Sequence, residues 1–98
     1  MPSTGPIRTV SDAWRPRLAP HLRLEFDPVR GRYVLLGPET VSVLNGTGAA
    51  IVRRCDGRRT VAEIVAELRE QYQRVVEDEV RHFLVRLADG RFLEVDRA

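Results

Sequence analysis

Three runs of strand-like sequence, followed at once by two short helical patterns joined by a tight turn, constrain this chain of 98 residues more than anything else in it. His21-Leu22-Arg23-Leu24-Glu25-Phe26-Asp27 alternates strictly: Leu22, Leu24 and Phe26 take one face, His21, Arg23, Glu25 and Asp27 the other. A period of two is the pattern of a half-buried strand. Asp27-Pro28-Val29-Arg30-Gly31 reads as a turn, because proline presets φ and glycine is free to take positive φ. Arg32-Tyr33-Val34-Leu35-Leu36 returns as a second strand, and Gly37-Pro38-Glu39 turns again. Thr40-Val41-Ser42-Val43-Leu44, rich in β-branched residues, is the third strand. Consecutive strands make a meander, which leaves the third at an edge unless another element pairs with it.

The helices follow from caps and spacing. Asn45 is an N-cap, its side-chain oxygen reaching an amide of the first turn. Gly48, Ile51, Val52 and Cys55 then recur at i, i+3, i+4, i+7, and Asp56-Gly57 is the expected glycine end. Thr60-Val61-Ala62-Glu63 is a capping box opening a second helix, with Val61, Ile64, Val65, Leu68 and Tyr72 as its apolar stripe. A third helix carries Glu77, Asp78 and Glu79 in its first turn, which suits the helix dipole. Its stripe is Val76, Val80, Phe83, Leu84 and Leu87, with Gly90 as the stop and Arg91–Val95 as a short last strand. The expected fold class is α+β, winged-helix-like. Residues 1–15 read as a flexible N-terminal tail, in which Trp14 is the one residue suited to pack on the domain, and 16–98 as the domain itself. Pro16 and Pro20 bracket an extended segment leading into the first strand.

A chain this short buries only roughly 60–65% of its unfolded surface, so its core is small. One cysteine, Cys55, excludes an intrachain disulfide framework and points to a reducing cytoplasm. No apolar run is long enough to span a membrane, and the N-terminus lacks a secretory pattern. All 16 basic residues are arginine, which reads as GC-rich coding composition; with 14 acids interleaved, the net charge is +2 and no nucleic-acid footprint stands out. Chemistry is scarce. His21 and His82 sit far apart on polar faces, Cys55 falls on a buried stripe, no Cys/His cluster has zinc spacing, and Gly46-Thr47-Gly48 lacks the pattern of a phosphate loop. No cofactor, metal or catalytic residue is expected, and an enzyme is excluded on inventory.

Two binding readings remain from the residues. A winged helix could read DNA, but Glu63, Glu67 and Glu70 on the second helix, with Glu77, Asp78 and Glu79 on the third, would repel phosphates. A free third-strand edge could instead accept a peptide as an added strand.

At this point the residues resemble a family. Arg17-Leu18-Ala19-Pro20-His21-Leu22-Arg23, Tyr33-Val34-Leu35-Leu36-Gly37-Pro38-Glu39, Leu44-Asn45, and Cys55-Asp56-Gly57-Arg58-Arg59-Thr60-Val61-Ala62-Glu63-Ile64 are similar to the pyrroloquinoline quinone (PQQ) biosynthesis protein D (PqqD) family over roughly residues 15–95. The resemblance implies a three-stranded antiparallel meander packed on a three-helix bundle and a non-catalytic peptide chaperone. Its expected ligand is the ribosomally made precursor PqqA. The chaperone presents that peptide to PqqE, a radical S-adenosylmethionine enzyme that joins a glutamate to a tyrosine in it. Homodimerisation stays open. The same elements recur in leader-recognition domains of other ribosomal peptide pathways, which remain the alternative beside a DNA-binding regulator.

The resemblance places the peptide between the third strand and the third helix, so Thr40, Val41, Ser42 and Val43 form one expected wall. On a helical wheel Leu84 edges the core stripe, and Arg81 and Val85 lie further out on one flank. Val85 is apolar yet off the stripe, which is also ordinary for a surface valine. Leu84, Val85 and Arg81 are therefore the expected second wall, half apolar with one cation for an acidic peptide; the opposite flank, with Glu79 and Arg86, is the less favoured one.

Overall fold

The computed structural model describes residues 11–72 and 77–96. In chain order its elements are β1 (Arg15–Leu18), β2 (Arg23–Asp27), β3 (Arg32–Gly37), β4 (Thr40–Leu44), α1 (Gly46–Arg54), α2 (Val61–Gln71), α3 (Glu77–Asp89) and β5 (Leu93–Asp96). The expected meander is the antiparallel sheet β2-β3-β4, and it packs with three helices in an α+β fold. β2 starts two residues later than the alternation suggests, because the amide of Leu22 turns back onto the carbonyl of Ala19. The β2–β3 turn is held by the Asp27 carboxylate, which accepts from the amides of Val29 and Arg30. Those bonds, the one from the Arg30 amide foremost, keep its pKa below the ordinary carboxylate value.

The core forms where the sheet meets the helices. Leu35 from β3, Ile64 and Leu68 from α2, and Val80 and Leu84 from α3 are almost wholly buried. α1 buries more than its stripe: Gly48, Ala49, Ala50, Ile51 and Val52 are all covered, since small residues let this short helix sit between the sheet and the other helices. Asn45 caps it, its side chain accepting from the amide of Gly48 at 2.7 Å. The capping box of α2 is present in both directions between Thr60 and Glu63. Val76 lies outside the described residues. Phe26, expected inward, is 52% exposed. It stands edge-on against Tyr33 at 4.9 Å, at the rim of the sheet where α1 offers Arg53 over the Tyr33 ring rather than an apolar side chain.

Three features depart from the sequence reading. First, the extended segment containing Pro16 is strand β1, paired antiparallel with β5 from the far end of the chain. Second, α1 ends at Arg54 with Cys55 as its cap, so Gly57, at φ 78, serves the following turn instead; its amide donates to the carbonyl of Pro16. Third, the left-handed residue that ends α3 is Arg91, at φ 63, not Gly90. The amide of Phe92 donates to the carbonyl of Leu87 and that of Arg91 to Ala88, which together form a Schellman motif.

Residues 11–15, assigned to the tail by composition, are bonded to the domain. The amides of Val61 and Ala62 in the first turn of α2 donate to the carbonyls of Trp14 and Asp12. A helix N-terminus has amides without intrahelical partners, and this segment satisfies two of them. Trp14 packs against the core. Residues 1–10 of the expected tail lie outside the described residues.

Candidate functional site

α3 crosses beside the end of β4 and the start of α1, and an open groove of about 470 Å³ lies between them. Val43, Leu44, Asn45, Thr47, Gly48 and Ile51 line one side; Glu79, Val80, His82, Phe83 and Arg86 line the other. On α3 the residues Glu79, His82, Phe83 and Arg86 fall at i, i+3, i+4, i+7, a second stripe beside the core stripe. Phe83 is half-buried. A Cβ built on Gly48 would stand 3.3 Å from the edge of the Phe83 ring, so the absence of a side chain there lets the ring settle onto α1. The guanidinium of Arg86 lies 5.8 Å from the centre of that ring, within cation–π range. The floor is thus apolar and the rims carry one acid, one arginine and one histidine.

The wall on the sheet side is an open edge. β4 pairs with β3 and, among the described residues, with no other strand. The two-residue connection Pro38-Glu39 makes Gly37 and Thr40 a mutually hydrogen-bonded pair. Alternation down the register then turns the main-chain groups of Thr40, Ser42 and Leu44 toward β3 and those of Val41 and Val43 outward. The side chains alternate too: Val41 is 75% and Val43 53% exposed, while Leu44 is buried and Thr40 and Ser42 are half-buried.

Of the expected site residues, Val43 lines the groove, and Thr40, Val41 and Ser42 continue the same strand. The three on α3 are placed elsewhere. Leu84 is 2% exposed and belongs to the core, so it has no surface to offer a ligand. Arg81 is committed on the opposite flank: its guanidinium donates to the Asp12 carboxylate at 2.8 Å and to Glu77 at 3.1 Å. Those two bonds raise its pKa above the usual arginine value, Asp12 contributing most. Val85 is half-buried and does not line the groove. A wheel cannot rank two flanks; the packing of α3 on α1 turns Glu79, Phe83 and Arg86 toward β4, and Arg81 toward the segment 11–14. The signal in the sequence for the flank that borders the groove is the pairing of a small residue, Gly48, with a large one, Phe83, beside the capped start of α1.

The site has little chemistry of its own. The Cys55 thiol is 5% exposed and its pKa is pushed up to about 12, by burial first and by the neighbouring Asp56 charge second, so it is an inert thiol. Among the described residues no group of three or more His, Cys, Asp or Glu is placed to hold a metal ion, and no helix is long and apolar enough to cross a membrane.

An uncharged sheet edge beside a groove with an apolar floor and polar rims is the geometry that a peptide added as a strand requires. The profile described as Coenzyme PQQ synthesis protein D (PqqD) matches residues 32–93. A "PqqA binding protein" of Rhodopseudomonas palustris (strain BisB5) is 39% identical over 88 residues, covering 87% of this chain and 86% of the relative. The "Bifunctional coenzyme PQQ synthesis protein C/D" of Methylorubrum extorquens is 38% identical over 82 residues, 81% of this chain but only 22% of that protein. Among solved structures, the solution structure of the PqqD truncation of Methylobacterium extorquens PqqCD, described as a stand-alone recognition element for ribosomally synthesised and post-translationally modified peptides, superposes with a TM-score of 0.68. It is 38% identical, and the match covers 81% of this chain and 87% of that one. The chain belongs to the PqqD family.

Proposed function

We propose that this protein is a non-catalytic carrier of the PQQ precursor peptide. PqqA docks as an added strand on the outward main-chain groups of Val41 and Val43, with every second side chain lowered into the groove between β4 and α3. Phe83, Ile51 and Gly48 receive an apolar side chain, and Arg86 meets a carboxylate at the rim. Held this way the peptide is extended, with its own outer edge free, ready for presentation to the radical enzyme PqqE. The observation that carries the reading is the coincidence of a bare β4 edge with a groove of apolar floor directly beside it. The names of the relatives support the ligand.

The test is titration of the purified protein with synthetic PqqA, followed by heat and by amide NMR shifts, with a DNA duplex in parallel. The expected result is micromolar or tighter peptide binding, about −8 kcal/mol or better. The largest amide shifts should fall on residues 41–48 and 79–86. DNA binding that weakens steeply with salt, without peptide binding, overturns the reading.

A further inference from the structure

The sheet has an outer face, turned away from the helices, and its composition is graded. The register sets Glu25, Val34 and Val43 in one row across the three strands, and Arg23, Leu36 and Val41 in the next. On β2 the outer positions are charged, with Arg23 and Glu25 ion-paired at 3.4 Å. On β3 they are half-buried Val34 and Leu36. On β4, next to the open edge, they are the exposed Val41 and Val43, of which Val43 also borders the groove at its β4 end. The apolar end of the gradient therefore adjoins the edge where a strand would be added.

Side chains of any strand alternate between the two faces of its sheet. A peptide paired to β4 sends one set into the groove and the other onto the outer face. There each lies directly or diagonally beside Val41 or Val43, at cross-strand distances of roughly 5–8 Å. We propose that Val41 and Val43, backed by Val34 and Leu36, form a second apolar subsite for the same peptide, so that the bound segment is a continuous apolar run of several residues rather than an alternating one. The inference rests on the strand-addition reading above. Continuity with that edge names the occupant: the outward-facing side chains of the added strand.

The experiment is a lysine scan through the bound segment of synthetic PqqA, titrated against the full chain. Successive positions should each weaken binding tenfold or more, because both faces of the added strand are desolvated. A loss at every second position only would leave strand addition standing and overturn the outer subsite. Absence of binding by unsubstituted PqqA would instead remove the strand-addition reading and this inference with it. A second arm uses Val41→Thr and Val43→Thr, which keep β-branching and the edge amides. Each should weaken unsubstituted PqqA about three- to tenfold with an unchanged melting temperature; unchanged affinity in both overturns the subsite. Sedimentation without peptide supplies the last arm. A dimer that dissociates on Val41→Thr, combined with unaltered peptide affinity, would assign the face to a second copy of this chain and overturn the proposal.

Discussion

β2 and β4 are the two edges of one sheet, five residues each, and they are built in opposite ways. By the same alternation that turns Val41 and Val43 outward on β4, the outward main-chain groups on β2 are those of Leu24 and Phe26. Around them stand Arg23, Glu25 and Asp27, paired with one another or with Arg30. β4 has no charged residue over its whole length. An exposed edge invites pairing with any other chain, and charged side chains are the common protection. β2 carries that protection and β4 does not. β4 adjoins the groove floored by Ile51 and Phe83 from two helices, whereas the pocket that touches β2, at its first residue Arg23, is lined by Pro20–Leu22 and Leu36–Pro38 with no helix residue. The difference teaches how the proposed site gains selectivity: charges protect the β2 edge against strand pairing, and the β4 edge is unprotected where the groove between β4 and α3 lies beside it.

The largest expected effect lies beneath both edges. Leu84→Ala should cost about 2–5 kcal/mol, from lost transfer energy plus a cavity, and should lower peptide binding only in proportion to unfolding. Urea unfolding followed by circular dichroism measures it. An unchanged midpoint would return Leu84 to the groove wall and shift the open side of the molecule to the other flank of α3.

Next in size is a pair of prolines on β4 itself. Ser42→Pro removes an amide that donates to the carbonyl of Leu35, a residue with no exposed surface, and should cost about 1–3 kcal/mol of stability. Val43→Pro removes an amide that points into solvent, so stability should fall by less than about 1 kcal/mol, because edge strands tolerate proline on that side. Affinity for PqqA should nevertheless drop tenfold or more. If the two variants exchange behaviours, the hydrogen-bonding phase of β4 is the reverse of the one its two-residue turn dictates, and Ser42 is the peptide-facing residue.

These opposite expectations show which parts of the molecule were legible in the sequence. β4 was readable to the residue because its limits are local: a Gly-Pro turn before it, a β-branched run within it, a capping asparagine after it. The capping box of α2 is equally local. What could not be read is what joins distant segments. β1 has the look of an extended piece, but its partner is some 78 positions further on, and nothing near Pro16 announces Val95. The bonds from Val61 and Ala62 to Trp14 and Asp12 have no local pattern either. Which flank of α3 borders the groove could not be read for a related reason. Periodicity separates inside from outside, but the two borders of a core stripe are equivalent until another element chooses between them. Phe83, being large and apolar, was assigned to the core when half of it is groove. Arg91 escaped because a glycine stood one position before it and took the expected role.

A smaller effect separates the two arginines that flank α3. Arg81→Ala breaks half-exposed ion pairs to Asp12 and Glu77 and should cost at most about 1 kcal/mol of stability, leaving affinity for PqqA within twofold. Arg86→Ala should leave stability nearly untouched and weaken the peptide several-fold, with the loss shrinking as salt rises, since an exposed charge contact is screened. Titrations at two ionic strengths distinguish them. Salt-dependent loss at Arg81 with none at Arg86 would mean that the peptide lies along the 11–14 segment and that the bare β4 edge is not its seat.

The smallest change in stability should come from making β2 resemble β4. Arg23→Val with Glu25→Val removes an ion pair whose partners are both largely exposed, worth at most about 1 kcal/mol, and replaces it with residues that favour strands. The net shift should stay within about 0.5 kcal/mol. The consequence for association should be far larger. With those charges gone the outer face is apolar across all three strands, and a second unprotected edge is exposed to other copies of the chain. Sedimentation should show self-association that grows with concentration, where the parent is charged at the same edge. PqqA should still bind at one site per chain, because the pocket at the start of β2 has no helix residue or aromatic floor to receive a side chain and main-chain pairing alone is a weak, unspecific contact. A second peptide bound per chain would mean that an open edge suffices and that Phe83 and its neighbours add little. A variant that stays as monodisperse as the parent would mean that charge is not what closes β2, and the contrast between the two edges would then rest on the groove alone.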